Sequence, residues 1–580
     1  MKYLLSKLKF VGTEIIIILG FVIIINSYVG TVDNKINSDA KGYYDYLPSI
    51  FIYHDFVRKN DPIQENPNLY KRLTDDGIYV NYNQFKVDKY PSGTALLQLP
   101  FFMCTYLTFN LEGNVNDGYQ NPFQKTVLIS TLFYLFLGIF FLKKLLLLYD
   151  IKRNTIIFCQ IIIVLATPIT HYAHLEAGFS HVYSLFAITA FLYFVKMFFL
   201  YKSGRDFVFS SIFLGLIFLL RQPNIMIVLF LPFIAGSFSN MWEAIKAIIN
   251  KPKTLFMGFV LFLGIISIQL FLWFLQTGSF FVYSYQGEGF NFLDPYFISI
   301  LFSYKKGLFL YTPVLFIATL SLFWLLYKKQ FYLFTTWILF FSVLTYILSS
   351  WWSWFYGCSF GLRAYIDYFA IFMIPFALML DGLKKVSRII IITLSLLTIP
   401  LNLIQTYQYK RYILHWIEMD KEKYWKVFLK TNPRYSGLLW KNNYDANMFT
   451  CIHEIDAGDI CVPKKTDATV FSLKSTDIPD FDQVCIVQVT IEHDFEEHND
   501  TRIVLTIQNP EKKLTYIWNE RYLIHFHEKK LNKWQTGLYN FEFNPITDQN
   551  ANEIYIIVKT GKQSEYLKNV RLKFFSHKNL

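Results

Sequence analysis

The side chains able to do chemistry in this sequence stand where apolar runs end. Asp39 lies in Asn37-Ser38-Asp39-Ala40-Lys41-Gly42-Tyr43-Tyr44-Asp45-Tyr46, one short loop beyond the first apolar stretch. A carboxylate placed there sits at a membrane–water boundary and is a candidate proton acceptor for a hydroxyl nucleophile. It could equally be a solvated loop acid or a helix cap. Tyr43 and Tyr44 follow it as candidate substrate contacts. Three cations occupy comparable places: Lys89 in Lys89-Tyr90-Pro91-Ser92-Gly93, Arg221 before the helix-breaking Gln222-Pro223-Asn224, and Arg363 after Gly361-Leu362. An arginine fork matches the oxygens of a phosphate, and a lysine supplies a point charge. Glu288 is flanked by Gly287 and Gly289, which let backbone approach a ligand closely. Glu176 and His181, with His174 nearby, are further candidate contacts, although their spacing matches no zinc motif. Trp352, between Trp351 and Trp354, belongs either to an interfacial aromatic belt or to a platform that stacks on a sugar.

These residues need elements to hold them, and composition says what kind. The chain of 580 residues is 53% hydrophobic and 17% charged, with a mean hydropathy of +0.30. That is the balance of a polytopic α-helical membrane protein. The net charge of +12 comes from lysines and arginines in short loops between apolar runs, so no nucleic-acid partner is expected. Apolar runs predict about eleven spans, at roughly 12–30, 124–148, 154–171, 180–200, 206–220, 223–240, 254–275, 308–327, 331–349, 366–383 and 388–406. The first has no small-residue cleavage site after it and is read as a retained helix. Residues 31–123 form a long polar loop carrying interfacial helices. From about 410 the pattern changes to alternation, as in Val484–Ile491, Ile503–Ile507, Leu538–Phe543 and Ile554–Val558. The chain therefore divides into a membrane domain, 1–409, and an all-β domain, 410–580, that resembles jelly-roll sandwiches. Of the six cysteines, Cys451 and Cys461 are either free or bridged if the tail lies outside the membrane.

The short run 94–109 decides the topology. If it lies along the membrane, eighteen lysines and arginines, beginning with Lys2, Lys7 and Lys9, fall in the short segments on the N-terminal side, against four in short loops on the other. If it crosses, that bias inverts. The positive-inside rule favours the first arrangement, with a cytoplasmic N-terminus and the β domain on the far side. Asp39, Lys89, Glu176, His181, Arg221, Glu288, Arg363 and Asp367 then share one membrane face. The centres of the spans carry almost no ionisable groups, unlike an ion-coupled transporter.

The order Asp39 in the first outer loop, Lys89-Tyr90-Pro91 before a short apolar helix, a multi-span core and a soluble tail resembles the GT-C membrane glycosyltransferases, over roughly residues 10–405. The likeness is to the branch of protein O-mannosyltransferases and aminoarabinose transferases. That resemblance implies a sugar donor linked to polyprenyl phosphate and a glycan, lipid or protein acceptor, met at the extracytoplasmic face of a bacterial plasma membrane. It implies Asp39 as the essential acid, with Lys89, Arg221 and Arg363 on the lipid phosphate. Membrane lipids are the other partners. No cofactor is required, and a divalent metal held through Asp39, Glu176 or Glu288 is the alternative way to grip the phosphate. A flippase or polymerase of lipid-linked saccharides would share substrates and topology, and a membrane transporter is the remaining alternative.

Overall fold

The computed structural model describes residues 11–577, leaving aside 33, 55, 58–77, 84, 112–116, 433–434, 436–438, 440–448, 465, 495–500, 512–513, 524–533, 544, 547–551 and 561–563. Lys2, Lys7 and Lys9 therefore lie outside the described residues. The chain divides into two compact units, Met1–Thr406 and Tyr407–Leu580.

Every apolar run in the first unit is helical. Among the described residues, seven helices are long and apolar enough to cross a membrane: Gly12–Val29, Asn121–Leu147, His181–Tyr201, Pro252–Thr277, Phe331–Ser349, Arg363–Gly382 and Lys385–Lys410. An eighth span results if Gln222–Ala235 and Phe238–Ile249, bent by 116°, count together. The bend has a local cause. Gly236 adopts a left-handed φ of 80° and ends the first helix, and the Ser237 hydroxyl accepts the Asn240 N–H to start the next. Arg153–Leu165, Gly204–Leu220 and Pro313–Tyr327 have 13, 17 and 15 residues. At about 1.5 Å per residue they reach roughly 20–26 Å, short of the ~30 Å of hydrocarbon.

The long first loop folds into a helix, Asp39–Phe51, a hairpin of β1 (Tyr79–Tyr82) and β2 (Phe85–Asp88), and the helix Gly93–Leu111. That last helix is not among those apolar enough to cross. The chain also returns beyond it to where it left. The Gln124 amide oxygen accepts the backbone N–H groups of Lys35 and Ile36 at 2.7 and 2.8 Å, and the Tyr44 hydroxyl donates to the Gly118 carbonyl at 2.7 Å. Two glycines let these pieces close together. A Cβ on Gly42 would collide with the Tyr90 ring, and one on Gly93 would stand 2.5 Å from the Leu219 carbonyl. Tyr90 thus lies across the helix Asp39–Phe51, and the start of Gly93–Leu111 abuts the residues just before Arg221.

The spans are not free of ionisable side chains. Glu14, in the first, is fully buried, with Lys143 Nζ and Gln160 Nε2 each 2.8 Å from its Oε1. A carboxylate in that place persists because a cation and an amide from two other helices reach it.

The second unit is antiparallel throughout. Its strands are β3 (Phe449–Val462), β4 (Asp467–Lys474), β5 (Val484–Asp494), β6 (Arg502–Asn509), β7 (Leu514–Tyr522), β8 (Trp534–Glu542), β9 (Glu553–Lys559) and β10 (Glu565–His577). They form two four-stranded sheets, ordered β3-β10-β5-β8 and β4-β9-β6-β7. One core joins both sheets, with Val487, Val489, Ile491, Tyr539, Phe541 and Leu572 from the first and Ile503, Leu505, Ile507, Ile554, Ile556 and Val558 from the second. Inward and outward residues alternate along β9 and along the second half of β5. Cys451 and Cys461 are free. They lie ten residues apart on β3, and at about 3.4 Å per residue their Cα atoms are several times too distant for a bridge.

Candidate active site

A cavity of about 790 Å³ opens where the loops following alternate helices meet. Asp39 and Tyr43 enter it from the first turns of Asp39–Phe51. Lys89, Tyr90 and Pro91 come from the segment after β2, and His181 from the start of His181–Tyr201. Arg221 to Asn224 contribute the break after Gly204–Leu220, and 281–285 with Glu288 and Phe290 the loop after Pro252–Thr277. Trp351, Trp352, Tyr356 and Arg363 follow Phe331–Ser349. Polar groups cluster at one part of the wall, with aromatic rings around them. The volume lies within the range of small-molecule sites.

Each cation on the wall holds a carboxylate. Arg363 Nη1 is 2.7 Å from Asp39 Oδ2, and the same guanidinium lies over the Phe179 ring at 5.3 Å. Arg221 Nη1 is 3.0 Å from Asp367 Oδ2, and Lys89 pairs with Glu288 while its ammonium sits 5.1 Å from the Tyr285 ring centre. Asp367 is a buried hub. Its Oδ1 is 2.8 Å from His181 Nδ1, its Oδ2 accepts from Asn224 Nδ2 at 2.7 Å, and Tyr368 donates to Asn224 Oδ1 at 2.9 Å. The helix break at Gln222-Pro223 is what turns Asn224 toward Asp367.

Burial pushes the Asp39 carboxyl up, but the Arg363 guanidinium and the Tyr90 hydroxyl outweigh it and hold the group below the usual carboxylate range. Asp39 is therefore ionised at neutral pH. Burial, with help from the Asp39 charge, raises the Tyr43 hydroxyl to about 12, so Tyr43 remains a hydrogen-bond donor. Tyr90 is pushed up for the same two reasons.

Of the candidates from sequence, Asp39, Tyr43, Lys89, His181, Arg221, Glu288, Trp352 and Arg363 line this cavity. Tyr44 and Glu176 do not. Tyr44, one position on from Tyr43 and so about 100° round the helix, is buried against Phe102 and Tyr119. Glu176 turns to His171, with Oε2 3.0 Å from Nε2. Lys305 and Lys306 are also off the wall: Lys306 is buried and donates to the Ser359 carbonyl, and Lys305 sits 3.8 Å from the Phe355 ring centre. Among the described residues no three His, Cys, Asp or Glu side chains gather where they could hold a metal ion. Asp39 and Glu288 each face a basic partner instead. Sequence reasoning placed Asp367 on the same membrane face without giving it a role, and did not assign Tyr90, Asn224 or Tyr285 to the site, nor Tyr368 behind it. The break Arg221-Gln222-Pro223-Asn224 was the signal for Asn224; the other three had none of their own.

No protein-family model matches the chain, and no curated protein is similar to it in sequence.

Proposed function

We propose that the protein is a membrane glycosyltransferase of the GT-C kind. It moves a sugar from a polyprenyl-phosphate donor to the hydroxyl of a glycan, lipid or protein acceptor. The observation that carries this reading is the convergence of the carboxylates Asp39 and Glu288 and the cations Lys89, Arg221 and Arg363 on a single cavity with aromatic walls; in this reading Asp39 accepts the proton and the cations bind the phosphate. A lipid phosphate has its headgroup at the membrane boundary, and Trp352, Trp273 and Phe281 offer an apolar flank for the attached tail. In the reaction the acceptor oxygen forms a bond to the anomeric carbon as its proton passes to Asp39. The bond from that carbon to the phosphate oxygen breaks with its electron pair, leaving polyprenyl phosphate. One in-line displacement inverts the anomeric centre. Arginines and lysine aimed at the phosphate stabilise the charge that develops there.

The same arrangement bears on topology. The cavity takes residues after the first, third, fifth, seventh and ninth of the eleven apolar helices. All eleven crossing in alternation, three of them short, would bring those ends to one side. With the N-terminus cytoplasmic, that side and the β unit are extracytoplasmic, in a bacterial plasma membrane. The sheet orders, counted within the unit as 1-8-3-6 and 2-7-4-5, are those of two interleaved Greek keys and support a jelly roll.

The test is transfer of labelled sugar from polyprenyl-phosphate donor by reconstituted protein. Asp39→Asn should abolish it. Full transfer by that variant would remove Asp39 as the base, and no transfer by the wild-type protein would favour a flippase or polymerase of lipid-linked saccharides; either result ends the proposal.

A further inference from the structure

We infer that Arg363 is a shared ligand: a lipid phosphate entering the cavity takes the guanidinium from Asp39, and the carboxylate so released becomes the proton acceptor. The inference rests on the transferase reading above and adds to it an order of events, donor first.

The argument begins with charge. No cation on the wall is surplus, because Lys89 holds Glu288, Arg221 holds Asp367 and Arg363 holds Asp39. A phosphate that draws on any of these cations therefore competes with a carboxylate for its charge. The three pairs differ in how easily they open. Asp367 is fully buried and tied to Arg221, His181 and Asn224, so removing Arg221 would strip a cation from a charge that cannot reach water. Around Lys89 and Glu288 the two loops are also fastened through backbone, because Ser284 Oγ donates to the Lys89 carbonyl at 2.8 Å, and the Tyr283 hydroxyl braces the Glu288 carbonyl within its own loop at 2.6 Å. Asp39 loses least. Without Arg363 it keeps the Tyr90 hydroxyl and its place in the first turn of a 13-residue helix, whose N-terminal dipole favours a negative charge. Arg363 keeps the Phe179 ring as a pivot.

The exchange also removes a difficulty. While Arg363 is bonded to it, Asp39 is held ionised but is a weak base, and a general base works best with an affinity for protons near that of the medium. Transfer of the guanidinium to phosphate raises that affinity at the moment the donor is in place. Proton removal from the acceptor is thereby coupled to the presence of a donor.

The experiment is a titration of the full-length protein in detergent with farnesyl phosphate, using farnesol as the tail-only control and inorganic phosphate as the headgroup-only control. Asp39→Asn should bind farnesyl phosphate about tenfold more tightly than wild type, because the competitor for Arg363 has lost its charge. Glu288→Gln should stay within about twofold, and Arg363→Gln should lose about tenfold or more. Asp39→Ser reads the same competition where the asparagine variant fails to fold. Wild-type binding with no tightening in the Asp39 variants overturns the exchange and leaves the transferase reading standing. Tightening in Glu288→Gln alone makes Lys89 the exchangeable cation and overturns it too. Absence of farnesyl phosphate binding in every protein removes both.

Discussion

Two carboxylate–cation pairs of the membrane unit, Glu14–Lys143 and Asp39–Arg363, differ in their surroundings. In the first span Glu14 meets Lys143 and Gln160, and the hollow beside them is about 60 Å³, room for little more than water. At the loop ends Asp39 meets Arg363 beside a hollow of about 790 Å³. The distances within the pairs are nearly equal, 2.8 and 2.7 Å. Ion-pair geometry therefore does not mark a site. Space beside the pair does.

The largest effects should separate the two places most sharply. Asp39→Asn is expected to lower sugar transfer by about 10²- to 10⁴-fold, the range for loss of a general base. Glu14→Gln should leave transfer per folded molecule within about twofold. The order reverses for stability. Lys143→Met strands a buried carboxylate and should cost about 3–5 kcal/mol, seen as a lower thermal unfolding midpoint in detergent. Asp39→Asn should move that midpoint much less. A Lys143→Met protein as stable as wild type would remove the distinction.

A smaller effect is expected from Gly42→Ala. Its methyl group must displace the Tyr90 ring, and losing a hydrogen bond to a charged group costs about 1.5–3 kcal/mol. Transfer should fall by about 10- to 150-fold, and Tyr90→Phe should match it. Gly42→Ala at full activity would show that Tyr90 does not support the carboxylate. The smallest effect concerns pH. Asp39 has its folded-state pKa depressed, so its contribution to stability is present above the ordinary carboxylate value near 3.8 and is lost as pH falls through the lower folded value. Unfolding midpoints of wild type and Asp39→Asn should converge as pH drops below about 4, and diverging curves would contradict the pairing.

Much of the site was legible because each of its residues stands where an apolar run stops, and helices packed in alternation bring such ends together. What sequence could not supply was azimuth and distant partners. Tyr43 and Tyr44 look equivalent in the sequence, yet one faces the cavity and the other Phe102. Glu176 is drawn to His171 within a tight turn. Asp367 is a hub only because Arg221, His181 and Asn224 arrive from remote positions. Glu14 was passed over for a like reason, since Lys143 and Gln160 lie on other helices. In the β unit β5, β6, β8 and β9 were visible, β9 with the cleanest alternation. β10 and β3 were harder, because register shifts at Leu567, Val570 and Phe574 break their period. The alternative of a bridge between Cys451 and Cys461 failed on a simpler ground, since both lie on one extended strand.

The most direct measurement of the central claim is a structure of the full-length protein with a polyprenyl phosphate bound. The account predicts the phosphate in the cavity lined by Asp39 and Trp352, within hydrogen-bonding reach of Arg363, with Asp39 no longer bonded to that arginine. A phosphate bound elsewhere on the protein, with the Asp39–Arg363 pair intact, would contradict it.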